Sequence, residues 1–265
     1  MLGAIIGDII GSTYEFRNTD SYDFDPFPPG SSFTDDTVLT VAMADAILTK
    51  REYAETLRDY ALQYPGRGYG GWFSRWIYME NPKPYNSYGN GSAMRASPVG
   101  WAFDSLGETI EEAEKSAAVT HNHREGKKGA KVVAASIFLA RTGHDKKEIK
   151  RFIEKSYHYN LNRTLAEIKP LYSFNETCQK TVPEALICFL ESENFEDAIR
   201  KAIWLGGDSD TLACITGGIA EAYYKEMPHE WVEKSYSLLD DRIKETVDRF
   251  RKKFMAPTGN GNISK

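Results

Sequence analysis

The chain has 265 residues, a net charge of −5, 41% hydrophobic and 27% charged residues, which is enough for one large domain or two small ones with a substantial core. The acidic balance argues against a general nucleic-acid binder, which carries a basic excess. Five histidines and three cysteines, with no CxxC pair, exclude a His/Cys metal site and suit buried, inert thiols in a reducing compartment.

The N-terminus opens on an apolar run that lacks a basic leader and is interrupted by Asp8. No stretch approaches the ~20 apolar residues of a membrane span. The expected location is the cytoplasm, with no membrane anchor. Gly3, Gly7 and Gly11 recur every fourth residue and form one smooth face of a helix. Glycine costs roughly 1 kcal/mol per helical position, so its repetition is best explained by a second helix approaching closely. Asp8 and Glu15 lie two turns apart on nearly the same face, with Glu15 just past Tyr14 near the expected helix end.

Residues 20–30 form a Pro/Gly/Asp loop. Phe33-Thr34-Asp35-Asp36-Thr37 follows, with an apolar helix behind it and Thr34 or Asp35 as its N-cap. Residues 51–64 read as an amphipathic helix ended by Pro65. Residues 65–71 are too rich in glycine to be helical and offer backbone N–H groups to an anion. A short aromatic helix is expected over 72–79. The loop Asn86-Ser87-Tyr88-Gly89-Asn90-Gly91-Ser92-Ala93-Met94-Arg95 looks like a dinucleotide fingerprint but follows no strand, so that reading fails. A glycine loop opening a helix can still hold phosphate.

Ser105 and Glu108 have capping-box spacing before a helix to Ala118, and Thr120-His121-Asn122-His123 sits at its end. Helices are expected over 129–141, closed by Gly143, and over 145–157. Residues 160–175 carry no clear pattern. Further helices read over 182–190, after Pro183, and over 194–204. The latter delivers the chain into Gly206-Gly207-Asp208-Ser209-Asp210-Thr211, ahead of an apolar helix over 212–225. Pro228 starts a new element, and 240–254 is a charged surface helix. Helical periodicity recurs and period-two alternation does not. The fold class is all-α, one compact domain of ten or more helices over 1–255, with residues 256–265 as a disordered tail.

Two helix starts thus carry paired acids beside a threonine. Acids in a first helical turn contribute ~0.3–1 kcal/mol each, which accounts for one aspartate at each start and only loosely for two. If folding brings the pairs together, their mutual repulsion calls for divalent cations. Hard carboxylate and hydroxyl oxygens suit Mg²⁺ or Mn²⁺.

Five motifs in order carry a resemblance. They are Gly3-x-x-x-Gly7-Asp8-x-x-Gly11 with Glu15; Phe33 to Thr37; Tyr88 to Arg95; Thr120-His121 with Gly129-Ala130; and Gly206 to Thr211. Together they resemble the ADP-ribosylglycohydrolases. The resemblance implies an orthogonal all-α domain with two Mg²⁺ or Mn²⁺ ions in a central cleft. It implies Thr34, Asp35, Asp36, Asp208, Asp210 and Thr211 as metal ligands and Glu15 as a metal-linked acid. It places Gly70, Ser87, Tyr88, Asn90, Gly91 and His121 around ADP-ribose.

The implied activity is hydrolysis of the bond between ADP-ribose and a modified side chain or small acceptor, with Glu15, Asp35 or Asp36 managing the proton. Residues 65–79 contain no acid, which excludes a separate general acid there. The implied partners are ADP-ribosylated proteins or small conjugates, with no nucleic acid and no membrane, and the protein as a monomer. Two alternatives stay open: a non-catalytic ADP-ribose or nucleotide binder, and a two-metal phosphohydrolase. A degenerate binder should lack metal acids, and none is missing. Scarcity of histidine near the acids disfavours the phosphohydrolase.

Overall fold

Every residue of the first helix, α1 (Leu2–Gly11), is buried. The computed structural model describes residues 1–255, and the tail expected over 256–265 lies outside the described residues. After α1 come α2 (Asp35–Thr49), α3 (Tyr53–Gln63), α4 (Gly71–Trp76), α5 (Gly91–Met94), α6 (Ser97–Ala102), α7 (Leu106–Ala118) and α8 (Arg124–Arg141). The chain continues through α9 (Lys146–Tyr157), α10 (Leu165–Ile168), α11 (Cys178–Glu191), α12 (Phe195–Leu205), α13 (Ser209–Tyr224), α14 (His229–Ser237) and α15 (Asp241–Phe254). Among the described residues the sole β-type pairing is an isolated antiparallel bridge between Gly89 and Thr177.

The central pair is α1 against α13, itself buried from Ser209 to Ala222. The glycine face of α1 meets α13 backbone to backbone. A Cβ on Gly7 would stand 2.1 Å from the Ala213 carbonyl oxygen, and one on Gly11 would stand 2.4 Å from the Asp210 Cα. The pairing therefore exists only because those positions have no side chain. Helices α8, α11 and α12 pack around α13, while α2 carries α3 and α15 on its outer side. One hydrophobic cluster runs from Met1 to Phe250, so the chain folds as a single all-α domain. No described helix is long and apolar enough to cross a membrane.

Caps set the helix starts. Thr34 Oγ1 accepts from the Asp36 N–H, Asn194 from that of Asp197, and Asp145 with Glu148 forms a complete capping box. Of the box expected at Ser105, the Ser105 half is made, accepting from the Glu108 N–H at 3.2 Å. Gly143 takes φ +94° just past α8, as its place at a helix end requires.

Several elements differ from the sequence reading. Helix α4 ends at Trp76, α5 falls within the loop read over 86–95, and α6 forms in a stretch given no element. Helix α8 begins at Arg124, where His123 accepts from the Glu125 N–H. Helix α11 starts at Cys178 with Pro183 inside it. Six residues into the helix, this proline forgoes the bond to the Gln179 carbonyl and its ring crowds that oxygen, a cost the buried packing of α11 offsets. Residues 160–175 hold the single-turn α10, made by a Thr164–Glu167 capping box, and a 3₁₀ turn over Lys169–Leu171.

Candidate metal centre and ligand cleft

The N-terminal ends of α2 and α13 converge on the C-terminal half of α1. Before α13, Gly206 and Gly207 take φ of +84° and +77°, the left-handed region that glycine enters freely. These glycines leave room for protein rather than for ligand. A Cβ on Gly207 would lie 2.7 Å from the Tyr172 ring, and one on Gly206 would lie 3.0 Å from Asn18. Asn18 clamps this turn. Its Oδ1 accepts from the Gly207 N–H at 2.8 Å, and its Nδ2 donates to the carbonyls of Tyr14 (2.6 Å) and Gly207 (3.1 Å). The strand of chain carrying Glu15 is thereby tied to the strand carrying Asp208. Nothing in the local sequence singles out Asn18.

Asp8 organises the other side. Its carboxylate accepts from the Thr34 N–H (2.9 Å), the Thr34 hydroxyl (2.6 Å), the Thr37 N–H (3.1 Å) and the Thr37 hydroxyl. It therefore holds the first turn of α2 in place. The sequence reading left Asp8 without a site role, although it lies inside the first glycine motif. At the α13 side, the Thr211 hydroxyl donates to Asp36 at 3.3 Å, and Asn90 Nδ2 donates to Asp208 at 2.6 Å.

Two groups of acids result: Asp8, Asp36 and Asp210, and Glu15, Asp208 and Asp210. Within each, one carboxylate oxygen per residue lies within 4.8 Å of the others, a spacing that could hold a metal ion. Burial first, then neighbouring acids, push the Asp36 and Asp210 carboxyls well above the ordinary range. Asp35 is raised in the same way, by burial and then by Asp8. Glu15 is pushed up to about 7 by burial, with Asp208, Glu176 and Asp8 adding to it. Asp36 Oδ1 is buried with no hydrogen-bond partner among the described residues. An oxygen left unpaired inside a cluster of like charges is what a cation ligand looks like without its cation.

The acids open into a cleft of about 520 Å³. Glu15, Thr34, Asp35, Asp36, Asp208, Asp210 and Thr211 line one end. Gly70, Ser87, Asn90, Gly91 and His121 also line it, so these expected site residues share one cavity. Tyr88 does not. It is half exposed and packs tilted against His123, with ring centroids 5.3 Å apart. Asn90 lines the cleft, yet its amide is spent on Asp208 and Thr181, so it braces the acids. The Gly89 and Asn90 N–H groups are also committed, to Ser87 Oγ and the Glu176 carbonyl, leaving those of Gly91 and Ser92. Glu176 and Arg95 line the cleft as well. Glu176 lies just past the patternless stretch 160–175, ahead of α11, and Arg95 ends a glycine motif without a stated role.

With this geometry in view, the chain is compared with a family model and with relatives of known name. The family model described as ADP-ribosylglycohydrolase matches residues 1–259. Human ADP-ribosylhydrolase ARH3 is 28% identical, covering 87% of this chain and 86% of that protein. ADP-ribosylarginine hydrolase Tri1 of Pseudomonas putida (strain GB-1) is also 28% identical, over 88% of this chain and 72% of that protein. A solved structure described as an ADP-ribosylglycohydrolase-related protein complex superposes with a TM-score of 0.70 at 25% identity, covering 94% of this chain and 96% of its own. A family match over nearly the whole chain, on a fold shared with a solved relative, makes this protein a member of the ADP-ribosylglycohydrolase family.

Proposed function

We propose that the protein is a metal-dependent hydrolase that cleaves the glycosidic bond between ADP-ribose and a modified side chain or small acceptor. The observation that carries this reading is the set of buried acids, Asp36 and Asp210 above all, whose strongest charged neighbours are other acids. Thr34, Asp35, Asp36, Asp208, Asp210 and Thr211 would hold two Mg²⁺ or Mn²⁺ ions, the hard oxygens such cations prefer. Bound there, the cations supply charge compensation and Lewis acidity. Asp8 has its oxygens taken up by Thr34 and Thr37 and serves to position that ligand turn.

The distal ribose would sit at the acidic end, where carboxylates favour the positive charge that develops as the anomeric bond breaks. The diphosphate would lie toward the Gly91 and Ser92 N–H groups and the Ser87 hydroxyl. Among Glu15, Asp35 and Asp36 we assign proton transfer to Glu15. It is half buried, lines the cleft and stands in the acid group with Asp208 and Asp210. Three free, buried cysteines fit a reducing compartment, and we place the protein in the cytoplasm.

The test is a panel of ADP-ribosyl-arginine, ADP-ribosyl-serine and O-acetyl-ADP-ribose, each with Mg²⁺, Mn²⁺ or EDTA. Free ADP-ribose should be released from at least one conjugate with metal and from none with EDTA. Glu15→Gln should lower turnover by about 10²-fold or more while ADP-ribose still binds. Absence of turnover on every conjugate would sink the hydrolase reading. Binding without cleavage would favour a non-catalytic binder, and phosphate release would favour a phosphohydrolase.

A further inference from the structure

Arg95 is almost fully buried and forms no ion pair among the described residues. Its Nη2 donates to the Thr120 hydroxyl at 2.8 Å, while its Nε and Nη1 have no protein partner among the described residues. The Thr120 oxygen lies 2.7 Å from His121 Nδ1. A guanidinium is always a donor, so Thr120 accepts from Arg95 and keeps one proton to give. If that proton goes to His121 Nδ1, the ring proton must reside on Nε2. This ring edge faces the ligand loop: a Cβ on Gly91 would stand 3.4 Å from Nε2, and one on Gly89 would stand 3.6 Å from it.

We propose that Arg95 and Thr120 are positioning residues that fix His121 as the Nε2–H tautomer, so that the cleft wall beside Gly89 and Gly91 presents a donor to the diphosphate of the ligand. This rests on the reading of the cleft as an ADP-ribose site. The opposite tautomer would aim a lone pair at the same anion. Burial and the Arg95 charge also hold the ring neutral, its pKa well below the usual histidine value. Arg95 itself is lowered to about 10 by burial and remains a cation at neutral pH, so its direction of donation does not change. The Tyr85 hydroxyl is the competing acceptor, because Tyr85 packs beside both residues: its N–H donates to the Thr120 carbonyl at 3.3 Å and its ring lies tilted 6.1 Å from that of His121. A threonine proton given to Tyr85 would leave His121 with Nδ1–H.

The tautomer is read directly on the unmodified protein by long-range ¹H–¹⁵N correlation of the His121 ring. Nε2–H with an unprotonated Nδ1 is the expected result, and Nδ1–H overturns the proposal. Thr120→Val should mix the tautomers and weaken ADP-ribose binding by calorimetry about tenfold, the scale of one hydrogen bond to a charged group. In turnover it should raise KM by a similar factor with kcat changed less than about threefold. Thr120→Ser, which keeps the hydroxyl, should restore tautomer and affinity together. A Thr120→Val protein with unchanged tautomer, or with changed tautomer and unchanged ADP-ribose affinity, also overturns it. The ring measurement needs no activity. A wild-type protein that binds ADP-ribose, shows Nε2–H and cleaves no conjugate refutes the hydrolase reading and leaves the relay standing.

Discussion

Asp208 illustrates how a charged residue can matter for activity and little for folding. It closes the acid group with Glu15 and Asp210, and its one strong hydrogen bond comes from Asn90. Removing it takes a like charge out of a buried cluster, so repulsion falls as the Asn90 bond is lost. Asp208→Ala should abolish metal-dependent hydrolysis while the metal-free protein melts at or above the wild-type temperature, as followed by circular dichroism. Asp8 is the contrasting case, since it accepts four hydrogen bonds from Thr34 and Thr37. Its place was legible in the first glycine motif, but its task was not, because its donors lie about 26 to 29 positions away in the chain.

At the scale of helices, the contact between α1 and α13 makes the sharpest prediction. Alanine on Gly7 gains roughly 1 kcal/mol of helix propensity. It also drives a methyl into the Ala213 backbone, where no rotamer can yield. Forced overpacking costs about 1–3 kcal/mol and more when backbone must move, so Gly7→Ala should be net destabilising in urea unfolding. Gly107 is the control. It lies in the first turn of α7, and a Cβ there meets nothing within 4 Å. Gly107→Ala should stabilise by about 0.4–1 kcal/mol. The glycine period is visible in sequence, and the backbone contact of Gly3, Gly7 and Gly11 with α13 is the close approach it signals. Helix α10 was not visible, since a single turn has no period to detect and is held by a local capping box. Helix α11 starts earlier than the sequence suggests, because Pro183, which reads as a boundary, lies inside the helix.

For the whole molecule, the acid cluster ties stability to pH and, on the proposed metal site, to bound cations. Glu15 rises from an ordinary 4.5 to about 7, and Asp35, Asp36 and Asp210 rise well above 3.8. The fold therefore binds protons more tightly than the unfolded chain does. As pH rises past the unfolded carboxylate values the unfolded chain ionises first, so metal-free stability falls until the folded values are passed. Melting temperature in EDTA should drop between about pH 5 and pH 8. Saturating Mg²⁺ or Mn²⁺ should raise it and flatten that slope. A metal at 100-fold its Kd adds about 2.7 kcal/mol at 25 °C. A metal-free melting temperature that rises over this pH range would contradict the arrangement of acids.

The amino-acid sequence alone determined the helical class, most helix starts and the acidic motifs. Those depend on periodicity, caps and residue types within a few positions of each other. It also carried the family, through five motifs in order. Only the tertiary structure decided which side chains meet. It joined Asp8 to Thr34 and Thr37, Asn18 to Gly207, Asn90 to Asp208, and Arg95 through Thr120 to His121. It turned Tyr88 out of the cleft against His123 and brought Glu176 into it. Such contacts are set by how long helices cross, and no local pattern encodes a crossing. The physical link between the two levels is the glycine face of α1. Its spacing is written in the sequence, and its consequence is that Asp8 and Asp210 share one metal-sized space.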